Sequence, residues 1–134
     1  MKALVLHAAH DLRLDELPEP TFGPEEVLVR LGAGGICGWD LHYYQHGGVG
    51  DFLLHQPMTL GHEVAGEVVA VGADVDRVSV GQRVAVNPSR PCLHCDYCLP
   101  GHSNLCLNMR FFGSAAPFPH VQGALAELFV ARQD

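Results

Sequence analysis

The stretch EEVLVRLGAGGICGWDLHYY, residues 25–44, decides the fold. Its first half alternates polar and apolar residues, the period of a half-buried strand. Glycines at 32, 34 and 35 then break the alternation, and GWDLHYYQHG (38–47) reads as a short helix ended by glycine. At the junction stands Cys37, remote from the other four cysteines, and two residues on comes the only tryptophan, Trp39.

Working outward, KALVLH (2–7) and DLRLDEL (11–17) read as two early strands joined by a polar turn at His10 and Asp11. EVAGEVVAVG (63–72) and GQRVAV (81–86) continue the pattern, with glycines marking turns and bulges. GALAELFVA (123–131) fits either a last strand or a short helix. Between Asn87 and Asn108 the chain is rich in Pro, Cys, His and Asn and nearly without periodicity, which implies a loop lobe needing some staple. These readings describe a mainly-β fold: a partly open β-barrel with short helices.

With 134 residues the chain suits one domain spanning 1–134, and at 48% hydrophobic it has enough apolar residues for a core. Fifteen acidic against eight basic residues, a formal charge of -7, argue against nucleic acid or an anionic membrane surface as the main partner. No apolar run approaches the roughly 20 residues of a membrane span. The N-terminus meets Asp11, Asp15 and Glu16 too soon for a secretory leader. The odd number of cysteines, four of them clustered, favours reduced metal ligands in a cytoplasmic protein over disulfides.

PCLHCDYCLPGHSNLC spaces Cys92, Cys95, Cys98 and Cys106 as C-x2-C-x2-C-x7-C. Short gaps let successive sulfurs meet one ion, and the longer return brings the fourth from the far side. Zinc takes such a tetrahedral thiolate set in structural sites. A four-thiolate iron–sulfur cluster and paired disulfides are the rival readings. Four sulfurs leave no vacant corner, so His94 and His102 are expected to face solvent.

A lone cysteine is most often a small apolar core residue. Here Asp40 and His42 follow Cys37 closely, and LGHEVAGEV places His62 and Glu63 just before a strand. Cysteine, histidine and carboxylate are the ligands of a catalytic zinc that keeps one corner open.

GGICGWDLHYY, LGHEVAGEVVAVG, VGQRVAVNP and the four-cysteine lobe together resemble the GroES-like catalytic domain of the zinc-dependent medium-chain alcohol and polyol dehydrogenases. The likeness runs along essentially the whole chain. DLHYYQHGGVGDF and MRFFGSAAPFPHVQGALAE are most similar to the sorbitol and L-idonate dehydrogenase branch. The resemblance implies that Cys37 and His62 hold a catalytic zinc. Glu63 is implied as a ligand or a close neighbour of that zinc, Asp40 as the carboxylate behind the ligand histidine, and His42 as the outer member of a proton relay. Cys92, Cys95, Cys98 and Cys106 are implied as ligands of a second, structural zinc. It further implies a polyol or aldonate substrate and NAD(P) as hydride acceptor.

Two departures from that pattern stand out. The family usually carries serine or threonine where this chain has Trp39. An indole N–H donates but does not accept, so it cannot pass on the substrate proton. Its bulk either meets the approaching substrate, which would impair alcohol oxidation, or turns away to pack. The family also continues into a doubly wound nucleotide-binding domain, which lies beyond Asp134. The nearest dinucleotide-like run, GAGGICG, has Cys37 in place of the third glycine and leads into the metal site. The expectation is therefore a catalytic domain that does not turn over by itself. Alternatives are a zinc-binding module without activity, self-associating through an uncovered apolar face as a homo-oligomer, and a hydrolytic or hydration activity of zinc-bound hydroxide. The remaining histidines, His7, His10, His46, His55 and His120, are expected at the surface.

Overall fold

A computed structural model describes residues 1–133. In chain order its elements are β1 (Lys2–Ala8), β2 (Asp11–Glu16), β3 (Glu26–Gly35), α1 (Gly38–His46), β4 (Gly48–Val49), β5 (Phe52–Leu53), β6 (Met58–Thr59), β7 (Glu63–Val71), β8 (Arg83–Ala85), β9 (Ser89–Arg90), β10 (Arg110–Phe111) and β11 (Leu128–Arg132), with a single 3-10 turn at Ser103–Leu105. Among the described residues no helix is long and apolar enough to cross a membrane.

Two antiparallel sheets carry the fold, in the orders β11-β3-β7-β8 and β2-β1-β6, and neither closes on itself. The alternation of β3 buries Val27 and Val29, which meet Val68 of β7 and Phe129 and Ala131 of β11 in the main core. The β3–β7 register slips between Leu31 and Ala33, which places a bulge at Gly32, where the glycines break the alternation. The ambiguous 123–131 stretch is not helical: Leu128–Arg132 pairs with β3, and the residues before it bend past β1, where Ala126 bridges Ala3. There the Leu4 N–H donates to the Leu125 carbonyl (2.8 Å), and the Glu127 N–H to the Lys2 carbonyl (2.9 Å). The same segment returns bonds to residues 60 and 61, with Leu125 N–H on Leu60 O and Ala124 N–H on Gly61 O, both 2.9 Å. It therefore fixes the backbone directly before His62.

Helix α1 stands where expected. Its N-cap is Cys37, its C-cap Gly47 adopts the left-handed conformation at φ 70°, and the Gly47 N–H returns to the Tyr43 carbonyl. Tyr43 is fully buried with Leu6, Met58 and Leu60, and its hydroxyl accepts the Ala115 N–H at 2.9 Å. This second core presses the helix onto β1 and β6. Met58→Ala should open a cavity there and cost about 2–5 kcal/mol, read as a lower urea midpoint with an unchanged slope.

Candidate metal centres

The junction before α1 is built as a capping box. The Cys37 N–H donates to Asp40 Oδ2 (3.0 Å), and the Trp39 N–H donates to Cys37 Sγ (3.2 Å). Asp40 is buried, and its other oxygen accepts the Gly61 N–H at 3.2 Å. Gly61 sits at φ 94°, and a Cβ there would collide with Leu125. Residue 61 must therefore be glycine for the chain to bring His62 against the helix terminus.

There His62 Nε2 lies 3.0 Å from Cys37 Sγ. Its Nδ1 faces Asp40 Oδ1 at 3.9 Å, is buried, and makes no hydrogen bond. The ligand atoms of Cys37, Asp40 and His62 all lie within 4.8 Å of one another. Because sulfur and carboxylate face different ring nitrogens, Cys37 Sγ and His62 Nε2 form the ligand edge and Asp40 stands behind the ring. A buried ring nitrogen without a partner is costly. An imidazole that binds metal through one nitrogen commonly donates its other N–H to a carboxylate, and Asp40 is placed to receive it. Sulfur and imidazole nitrogen are donors that zinc prefers. The residues present fit the ion.

Glu63 and His42 stand outside this trio. Glu63 is exposed at the start of β7, paired across to Gly35, with its carboxylate lying over that glycine. His42 is exposed on α1, its ring centroid 5.8 Å from that of His46. Trp39 does not turn away: its ring centroid lies 6.3 Å from His62 and 6.1 Å from Phe111, and Phe111 lies 5.4 Å from His62. Phe112, the next residue, points oppositely into the core against Phe129.

In the lobe the four sulfurs of Cys92, Cys95, Cys98 and Cys106 lie within 4.8 Å of one another, and none is paired in a disulfide. The backbone N–H groups of Cys92 and Asn108 both donate to Cys106 Sγ, at 3.2 and 3.3 Å. Backbone donation from His94 foremost draws the Cys92 thiol down to about 6, and donation from Leu107 lowers Cys95. Burial pushes Cys98 up to about 12. Fully ionising this cluster requires a cation at its centre. His94 and His102 are exposed, as expected once four sulfurs fill the shell.

One histidine was misread. His120 is 4% exposed, with Nε2 accepting the His55 N–H (2.9 Å) and Nδ1–H donating to the Pro117 carbonyl (3.0 Å). The proline-rich neighbourhood signalled a turn, and that turn folds inward around the ring.

Comparison with known proteins gives the family of the chain. The model of the alcohol dehydrogenase GroES-like domain matches residues 23–134. Sorbitol dehydrogenase of Bacillus subtilis is 43% identical over the whole chain, which spans 37% of that enzyme. L-idonate 5-dehydrogenase (NAD(P)(+)) of Escherichia coli is 56% identical over 97 residues, 72% of this chain and 28% of that enzyme. The crystal structure of L-idonate 5-dehydrogenase from Escherichia coli superposes with a TM-score of 0.91 at 42% identity, covering 98% of this chain and 37% of that one. The chain thus matches between 28% and 37% of the length of these relatives, and it belongs to the alcohol dehydrogenase GroES-like domain family.

Asp40→Asn keeps one acceptor oxygen and replaces the other with a donor. It should weaken zinc at Cys37 and His62 by 10–100-fold, on the order seen for partners behind metal ligands, and leave the lobe unchanged in a competitive chelator titration.

Proposed function

We propose that this member of the alcohol dehydrogenase GroES-like domain family is the zinc-bearing catalytic part of an NAD(P)-dependent alcohol or polyol dehydrogenase of the L-idonate and sorbitol dehydrogenase kind. One observation carries the reading. Cys37 Sγ and His62 Nε2 converge to 3.0 Å across 25 residues of sequence, with the unpartnered His62 Nδ1 turned to Asp40. Zinc held by Cys37 and His62 would lower the pKa of a substrate hydroxyl, so that an alkoxide gives its hydride to a nicotinamide ring.

The chain's own residues have distinct tasks in that reaction. Asp40 holds the His62 ring with Nε2 towards Cys37. The capping box fixes Cys37 Sγ at the helix terminus. Glu63 lies at an open cleft of about 720 Å³ that it shares with His62 and Phe111, and it is the carboxylate at hand to accept a proton or complete the metal shell. His42, exposed on the same helix, would be the outer member of a proton relay only where residue 39 carries a hydroxyl, as it does in the family. The four-sulfur lobe, with its closed ligand set, is structural. Hydride acceptance requires a nicotinamide site outside the described residues, because the GAGGICG run ends β3 and opens α1 without a βαβ unit.

A second reading, a zinc-binding module without turnover, draws on the indole of Trp39 beside His62. Metal content and redox activity separate the two. Atomic emission should find about two zinc per chain, falling to about one in Cys37→Ala with the fold intact, from the two ligand sets. One zinc in the unaltered chain overturns the catalytic site. Two zinc with no Cys37-dependent alcohol oxidation, when NAD(P) and the nucleotide-binding part of a relative are supplied, favours the silent module.

A further inference from the structure

We infer that Trp39 sets the specificity of the Cys37–His62 site, so that it takes alcohols with an apolar or aryl group beside the reacting carbon in preference to polyhydroxylated ones. The inference rests on the zinc-site reading above and goes beyond it to the shape of the substrate.

His62 is only 8% exposed, and the rings of Trp39 and Phe111 both lie against it. A molecule that approaches Nε2 or the adjacent sulfur from the side of these rings meets both of them. Trp39 is itself 41% exposed, so the indole has a face free to meet that molecule. Its position is not adjustable from the backbone side, because its own N–H is held on Cys37 Sγ at the first turn of α1.

The chemistry of this wall is one-sided. Phe111 offers no polar atom, and the indole offers one donor and no acceptor. The cleft that His62 lines includes Gly34, Gly35, Pro88 and Phe111, with Glu63 the only carboxylate along it. A polyol pressed against the two rings would lose water from hydroxyl groups that find no acceptor there, which is unfavourable for each one. An aryl or alkyl substituent at the same place would bury apolar surface and stack on the indole. A serine at 39 would reverse this balance by removing the ring and adding a hydroxyl that both donates and accepts.

The test measures binding rather than turnover. Dissociation constants of benzyl alcohol and D-sorbitol for the zinc-loaded chain are determined by ligand-detected NMR, with Trp39 emission followed in the same titrations. The expected preference is benzyl alcohol over sorbitol, with emission quenched by benzyl alcohol. Trp39→Ser should shift the ratio of the two constants towards sorbitol by about fivefold or more, the scale of an aromatic contact. Trp39→Phe should retain most of the preference, and Cys37→Ala should lose binding of both. An unchanged ratio in Trp39→Ser, with both zinc ions present, overturns the inference alone. Absence of the Cys37-dependent zinc overturns the site reading and the inference with it.

Discussion

The buried carboxylate of Asp40 ties together everything this chain does at its candidate centre. One oxygen accepts the N–H of Cys37 and so starts α1, and the other accepts the N–H of Gly61 and so anchors the approach to β7. Where the β3–β7 ladder ends at Gly35 and Glu63, this one side chain carries the link on to the helix terminus. A carboxylate is well suited to the task, because it accepts several hydrogen bonds and remains buried at low cost only when they are made. Its remaining reach, towards His62 Nδ1, lets the same group serve fold and metal site. Helix start, strand approach and ligand orientation therefore cannot vary independently.

The second centre solves a different problem. The lobe between β9 and β10 contributes only Cys98 and Cys106 to the buried set, so apolar packing cannot hold it. Its backbone folds instead to aim N–H groups at sulfur, onto Cys106 from two sides and onto Cys92 from His94. Those donors stabilise thiolate at some positions while burial opposes it at Cys98. A dication would relieve the opposition at Cys98 and use the preparation at the others, and metal binding and folding of this lobe would then be coupled.

Local signals were legible where local physics decides. Alternation located β1, β2, β3 and β7, and the glycine at 47 marked the helix end. The four-cysteine spacing identified its own site, since the ligands lie within one loop. The Cys37–His62 pairing was not derivable from spacing, because 25 residues and a sheet separate the halves; resemblance supplied it and the fold then brought the pair together. His62 and Glu63 are neighbours in the chain and share one cleft but are held differently, His62 Nε2 facing Cys37 while the Glu63 carboxylate lies over Gly35. Strand alternation parts Phe111 from Phe112, one at the site and one in the core. His120 escaped notice because a turn signal says nothing about whether the turn packs inward.

The position of Trp39 follows from these constraints rather than from its own preferences. Once Cys37 caps the helix and Asp40 closes the box, residue 39 lies between them in the first turn with its N–H committed to sulfur. Backbone freedom there is spent, so changing residue 39 changes the chemistry facing His62 without moving either ligand. The scaffold thus separates two functions within four residues, Cys37 to Asp40. Residues 37 and 40 set where the metal site is, and residue 39 sets what can approach it. A bulky aromatic residue at the second role is compatible with full preservation of the first, which is why ligand geometry and substrate preference can diverge within one fold.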